Sequence, residues 1–166
     1  MFKSLSIAAL SAVASASADG KCRGLAMSGG ANYGAWEVGV IWGLMHYGNP
    51  EDYTWDVITG VSAGAINTAG TLVYETGDEY AMSEFLSDSW AHLHSSDIWR
   101  FWPDETPREW FSEQGLLDSS PAIEYITELI APFGEIKRNF AFSAVDVNSG
   151  EYVVMDQTNT LFEEVP

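Results

Sequence analysis

Positive charge is scarce in this sequence, where seven Lys and Arg stand against 24 Asp and Glu, for a formal net charge of −17. Nucleic-acid binding is disfavoured, because phosphates are held by a basic surface. Electrostatic docking on an anionic membrane is disfavoured for the same reason. The simplest consequence of the acidity is solubility.

Cysteine is almost absent, since Cys22 is the only one. An intrachain disulfide is therefore excluded. Cys22 precedes an apolar run, so we expect it to be a buried structural residue rather than a nucleophile. With 166 residues, 46% of them hydrophobic and 19% charged, the chain is long and apolar enough for one folded domain with one core.

A membrane-spanning run is also lacking. The apolar stretch over residues 5–13 is too short to cross a bilayer, but Lys3 precedes it and Ala16-Ser17-Ala18 follows it. This order is typical of a secretory signal peptide, which we assign to residues 1–18, with a second possible cleavage point after Ala16. We therefore expect a secreted or lumenal protein; the alternative is an apolar N-terminus that is never cleaved.

Hydrophobic periodicity and turn residues predict an alternating α/β chain. Ser120 is a candidate N-cap, and Asn148-Ser149-Gly150 is typical of a hairpin turn. The predicted order is strand 22–28, helix 34–47, strand 55–59, helices 63–74 and 79–93, a helix from residue 121, and strands 139–147 and 151–156. We predict a three-layer α/β/α sandwich around a mainly parallel sheet, with the first two strands adjacent.

One pentapeptide stands between a predicted strand and a predicted helix: Gly60-Val61-Ser62-Ala63-Gly64. Gly-x-Ser-x-Gly in that position is typical of a nucleophile elbow, in which a strained turn exposes the serine hydroxyl above the sheet. Both glycines are expected because the chain crowds itself there. The alternative is an ordinary glycine-rich turn between a strand and a helix.

A second glycine-rich loop, residues 28–34 (SGGANYG), follows the first predicted strand. If the first two strands are neighbours, this loop lies beside Ser62 at the carboxyl edge of the sheet. Its backbone N–H groups then suit a developing oxyanion. A dinucleotide site is the alternative, but Ala31 stands where Gly-x-Gly-x-x-Gly needs glycine, and no P-loop motif occurs. We expect no cofactor.

These segments carry a resemblance to a known family. Residues 25–40 read LAMSGGANYGAWEVGV and residues 60–67 read GVSAGAIN; weaker blocks are GLLDSSP at 115–121 and FSAVDVNSGE at 142–151. Together they resemble the patatin-like phospholipase family over about residues 22–156. The resemblance implies a three-layer α/β/α fold, hydrolysis of acyl esters of lipids, and a Ser–Asp dyad without histidine.

Carried onto this sequence, the resemblance implies that Ser62 is the nucleophile and that Gly29, Gly30 and Ala31 form the oxyanion hole. Two positions depart from the family loop, which commonly has a third glycine and then a basic residue; here these are Ala31 and Tyr33. Ala31 offers its N–H provided that its φ is not positive. The loss of a basic residue at Tyr33 removes positive charge near the oxyanion.

The aspartate of the implied dyad is missing from its motif, because neither Asp-Gly-Gly nor Asp-Gly-Ala follows Ser62. Asp146 and Asp156 fall in the predicted hairpin and do not match it. We therefore expect residues 22–166 to be the N-terminal part of an incomplete patatin-like domain, with the aspartate beyond this chain. The alternative is a catalytically inactive secreted module that binds lipid or another partner.

Other candidates are weaker. His92 and His94 follow Ser62 in the order that a Ser–Asp–His triad requires, but polar filler at a helix end is the commoner role. They also lack the spacing of a metal site, and we expect no metal. The aromatic-rich residues 99–111 are interpreted either as a lid at a lipid–water interface or as a cover for the core. We expect a lipid ester as the partner; the oligomeric state is left open.

Overall fold

A four-stranded sheet forms the centre of the protein, in a computed structural model that describes residues 20–102 and 117–158. The described elements are β1 (Gly24–Met27), α1 (Gly34–Tyr47), β2 (Val57–Val61), α2 (Ala63–Thr71), α3 (Glu79–His92), α4 (Ser120–Ile130), β3 (Asn139–Val145) and β4 (Tyr152–Asp156). Strand order is β1-β2-β3-β4, with the first two pairs parallel and the last antiparallel. The predicted α/β fold with a mainly parallel sheet is confirmed.

The register of β1 and β2 decides what meets at the carboxyl edge of the sheet. Gly24 pairs with Val57, and Met27 pairs with Gly60. Both strands therefore end at the same level, and the loop after β1 lies next to the turn after β2. The expected adjacency of the first two strands is confirmed.

The core lies on one face of this sheet. Met27 and Ile58 point from the strands into a cluster with buried side chains of α1 and α3. Gly60, on the same face, lies against α2, and α1, α2 and α3 contact one another. Within residues 20–102 and 117–158, these three helices cover that face, while Val61 on the opposite face is 40% exposed.

A buried ion pair connects β3 to the helical layer. Arg138, just before β3, donates to Glu79 Oε1 at 2.9 Å, and both side chains are almost completely buried. Arg138 also donates to the carbonyl oxygens of Trp55, Tyr74 and Glu75. Because every nitrogen of the guanidinium has an acceptor, the burial of this charge is compensated.

A second ion pair lies at the two ends of residues 101–117. Arg100 and Asp118 exchange both backbone hydrogen bonds, and Arg100 Nε lies 2.7 Å from Asp118 Oδ2. Hydrogen bonds from the Ser120 side chain and backbone, together with the Arg100 guanidinium, lower the pKa of Asp118 below its ordinary value of 3.8. This pair holds the entry to α4 against the chain that follows α3.

Local predictions need correction at several points. Helix α2 ends at Thr71 instead of residue 74. Cys22 is exposed rather than buried, because strand pairing begins only at Gly24. Strand β2 starts at Val57 instead of residue 55. Ser119, not Ser120, is the N-cap of α4, because the helix already begins at Ser120.

Some predictions fall on residues that the structure does not describe. The assigned signal peptide, residues 1–18, lies outside the described part, as does most of the aromatic-rich stretch. Of that stretch, Trp99 and Phe101 form an edge-to-face pair with ring centroids 5.5 Å apart, and Phe101 is 68% exposed. The choice between lid and core cover stays open. No helix in the described residues is long and apolar enough to cross a bilayer.

Candidate active site

Ser62 occupies a strained turn between β2 and α2. It is the N-cap of α2, with φ 55° and ψ −125°, in a region that residues other than glycine rarely adopt. Such a conformation costs on the order of 1–3 kcal/mol and persists only when the surrounding structure holds it. The side chain of Ser62 is exposed, at the N-terminus of a nine-residue helix.

The two glycines of the elbow are required by close backbone contacts. A Cβ on Gly60 would lie 2.2 Å from the carbonyl oxygen of Gly64, and a Cβ on Gly64 would lie 2.5 Å from the carbonyl oxygen of Met27. The N–H of Gly64 donates to the carbonyl of Ser28 at 3.1 Å. Helix α2 therefore packs directly on the end of β1, and this contact holds Ser62 in its turn.

The glycine-rich loop lies beside Ser62. A Cβ on Gly29 would lie only 3.1 Å from the Cβ of Ser62. The N–H groups of Gly30 and Ala31 donate to no acceptor among the described residues. The structure thus brings together the nucleophile candidate and the loop, and leaves two backbone donors of that loop available.

Ala31 has φ 50°, in the left-handed region that favours glycine. The condition set from the sequence, that φ of Ala31 is not positive, is therefore not met. The residue holds the strained conformation instead, and its N–H still has no acceptor among the described residues. An L-residue there costs roughly 1–2 kcal/mol. The conformation explains why glycine suits this position, and it makes Ala31 a second strained residue of the site beside Ser62.

A polar network that the sequence did not predict connects the loop to the elbow helix. Glu37 Oε1 accepts from the N–H of Ser28 at 2.8 Å and from its hydroxyl at 3.2 Å. Glu37 Oε2 accepts from Nδ2 of Asn67 at 3.2 Å. The Glu37 carboxylate, on α1, thereby links Ser28 at the end of β1 to Asn67 on α2. Asn67 lies five residues after Ser62.

Asn67 is fixed from three directions. It is 1% exposed, and its Nδ2 also donates to the carbonyl of Gly34 at 3.0 Å. Its Oδ1 accepts from Nε1 of Trp90 at 2.7 Å, and the ring of Trp90 lies against Gly34. The first residue of α1, the elbow helix and α3 are therefore held in one arrangement around the loop.

Comparison with known families identifies the fold of this site. The patatin-like phospholipase family model matches residues 25–163, which include both loops and the network. The chain belongs to the patatin-like phospholipase family. Members of this family act on lipids. Searches of curated proteins and of solved structures gave no match.

A base for Ser62 is not found in the described part of this patatin-like domain. The hydroxyl of Ser62 makes no hydrogen bond to a side chain of residues 20–102 or 117–158. His92 and His94 are exposed and pair locally, with Asp88 and Asp97. They do not contact Ser62, so the geometry gives no support to a Ser–Asp–His triad.

Metal chemistry has no evident site in this part of the molecule. Among the described residues no group of three His, Cys, Asp or Glu side chains is arranged to hold an ion. His46, at the end of α1, donates from Nδ1 to the carbonyl of Trp42 at 2.8 Å, and its Nε2 lies 3.0 Å from Glu84 Oε1. Its position indicates a structural role at the helix end.

Proposed function

We propose that the protein is a lipid acyl hydrolase of phospholipase A type, with Ser62 as its nucleophile. The observation that carries the proposal is the strained Ser62 beside Gly29, in a loop whose next two N–H groups, of Gly30 and Ala31, have no acceptor among the described residues. Strain at a non-glycine residue is typical of functional turns. Family membership supplies the class of substrate.

In the proposed reaction the Ser62 oxygen attacks the ester carbonyl, while its proton passes to a base. The resemblance implies that this base is an aspartate. The carbonyl oxygen becomes negative and accepts hydrogen bonds from the loop formed by Gly29, Gly30 and Ala31. The alcohol leaves with a proton, and water then hydrolyses the acyl-enzyme, returning Ser62 to its free form.

The proposed substrate is a phospholipid or a galactolipid-like ester, met at a lipid–water interface in a secretory compartment or outside the cell. The composition of residues 1–18 supports the compartment. The net charge of −17 favours a lipid surface without net negative charge, because anionic lipids attract basic proteins. Aromatic residues such as Trp99 and Trp102 are candidates for this contact.

Labelling with a fluorophosphonate probe tests the nucleophile. Separate samples of the natural full-length protein, its Ser62→Ala variant and a control variant, Ser95→Ala, are incubated either with the probe or with phosphatidylcholine. Ser95 is an exposed serine in the turn after α3. The proposal requires labelling and fatty-acid release by the parent and the control, and neither by Ser62→Ala. Equal labelling of Ser62→Ala would refute the assignment.

A second candidate function is a catalytically inactive lipid-binding module. The observation that favours it is the lack of a side-chain partner for the Ser62 hydroxyl in the described residues. The same experiment separates the two functions. Full-length protein that binds phosphatidylcholine vesicles but takes up no probe and releases no fatty acid would be a binding module.

A further inference from the structure

Charge is excluded from the segments that build the carboxyl edge around Ser62. Residues 24–50 contain one Asp, Glu, Lys or Arg, which is Glu37, and residues 57–74 contain none, in a chain with 24 acidic residues. The Glu37 carboxylate is engaged with Ser28 and Asn67. The strong negative charge of the protein is therefore carried by other segments of the chain.

Three exposed apolar side chains follow one another along the start of α1. Tyr33 is 73% exposed, Trp36 is 71% exposed and Val40 is 41% exposed. Their spacing of three and four residues places them along one side of the helix. We name them the Tyr33–Trp36–Val40 face.

This face borders the proposed oxyanion loop. The Cβ of Tyr33 would lie 3.2 Å from a Cβ on Gly30, and α1 begins one residue later. Tyr33 also stands where the family loop commonly has a basic residue. The side chain that borders the loop at this position is thus an uncharged aromatic ring.

Large exposed rings beside an uncharged surface are suited to a lipid interface. Trp and Tyr favour the boundary between headgroups and acyl chains, because each ring combines an apolar body with one polar group. A protein partner would more commonly be matched by a rim that includes charged residues, and these are scarce in the segments on either side of Ser62. An anionic bilayer would be repelled by the rest of the molecule.

We infer that the Tyr33–Trp36–Val40 face is the surface with which the protein docks on zwitterionic phospholipid bilayers, bringing the Ser62 turn to the interface. This inference rests on the proposed function, because docking through this face would place Ser62 next to the lipid esters of the bilayer. The contact relies on aromatic rings instead of charge, so raising the salt concentration from about 0.1 M to about 1 M, which shortens the screening length severalfold, leaves it intact.

Vesicle sedimentation tests the face without requiring catalysis. All proteins carry Ser62→Ala, so that binding alone is measured on phosphatidylcholine vesicles. Trp36→Ala is compared with Tyr152→Ala, which removes a 67% exposed ring from β4, the strand farthest from β1 in the described sheet. Loss of one buried large ring predicts a vesicle affinity about tenfold lower for Trp36→Ala. Tyr152→Ala and high salt leave the affinity within about twofold of the Ser62→Ala parent, a difference too small for a lost ring contact.

The outcomes separate this inference from the proposed function. If Trp36→Ala binds vesicles as tightly as the parent, the lipid-docking inference is wrong, and a protein partner becomes the better occupant of the face. If binding depends on Trp36 while the protein with Ser62 intact takes up no fluorophosphonate, the docking surface stands and the hydrolase proposal fails. Trp36→Phe, which keeps a ring, restores most of the affinity if the face acts through aromatic burial.

Discussion

Replacing Glu37 with glutamine tests whether the network around Asn67 fixes the glycine-rich loop. The carboxylate accepts three hydrogen bonds, two from Ser28 at Oε1 and one from Asn67 at Oε2. Glutamine keeps one oxygen acceptor and places an NH₂ group where the other stood. In either orientation, the new NH₂ group faces another donor, which is the N–H of Ser28 or the Nδ2 of Asn67.

The size of the effect follows from these contacts. Asn67 cannot turn its own amide to accept, because Trp90 donates to its oxygen and Gly34 accepts from its nitrogen. One hydrogen bond to a charged acceptor contributes roughly 1.5–3 kcal/mol. Glu37 is only half-buried, so we expect Glu37→Gln to lower the free energy of unfolding by about 1–2 kcal/mol.

The same change is expected to reduce catalysis if Ser62 is the nucleophile. Displacing the end of β1 moves the N–H donors of Gly30 and Ala31 relative to the oxyanion. Loss of one such donor costs about a hundredfold in kcat, and a partial displacement costs less, about tenfold. KM changes little, because these donors bind the transition state rather than the substrate.

Urea unfolding and ester hydrolysis by the full-length protein measure the two effects, with Glu124→Gln as the matched control. Glu124 is exposed on α4, and its replacement removes the same charge. The reasoning is refuted if Glu37→Gln and Glu124→Gln are equal in both unfolding free energy and kcat. A loss of stability with unchanged kcat would limit the network to a structural role.

Three further predictions concern the turn, the loop and the pH dependence. Gly60→Ala lowers the unfolding free energy by about 3 kcal/mol or more, because its Cβ meets backbone at 2.2 Å. Ala31→Gly raises it by about 0.5–1 kcal/mol, because glycine relieves the left-handed strain at φ 50°. Asp118, whose pKa is lowered in the folded state, contributes stability at neutral pH that is lost as the pH falls below 3.8 through the lower folded-state pKa. Asp118→Asn therefore lowers Tm at pH 7 and flattens the fall in Tm below pH 4.

Each of these has its own check. Gly39→Ala is the control for the turn, since a Cβ there has no neighbour within 4 Å; it is expected to stabilise α1 by about 0.5–1 kcal/mol. A harmless Gly60→Ala would contradict the steric argument. Denaturant unfolding of Ala31→Gly that shows reduced stability would mean that the loop is not strained. Thermal unfolding from pH 2.5 to pH 7 with identical slopes for parent and Asp118→Asn would exclude Asp118 as a source of the acid sensitivity.

Much of the fold could be predicted because its signals are local. Helix α1 has the predicted bounds, since its apolar stripe ends at Gly48-Asn49-Pro50. The hairpin between β3 and β4 follows from Asn148-Ser149-Gly150, where Gly150 has φ 74°. The start of β2 was misplaced by two residues because pairing with Gly24, not composition, decides where the strand begins.

The site was predictable only where a motif reports backbone geometry. The crowding at Gly60 and the strain at Ser62 follow from the pentapeptide and its neighbours. The network of Glu37, Asn67 and Trp90 was missed, because its hydrogen bonds join residues up to 30 positions apart. The sequence did contain one indication, since Glu37 is the only Asp, Glu, Lys or Arg among residues 24–50. Its role could be assigned only from its tertiary contacts.

The buried Arg138 has a consequence for the order in which the protein folds. Its acceptors lie 59 to 83 residues earlier in the chain, so the guanidinium can dock only after Trp55, Tyr74, Glu75 and Glu79 have come together. Closing a loop of that length is entropically slow. Until Arg138 docks and β3 pairs, β2 is an open strand edge, the kind of surface on which unfinished chains aggregate. Docking of Arg138, just before β3, thus favours the pairing that covers this edge of β2.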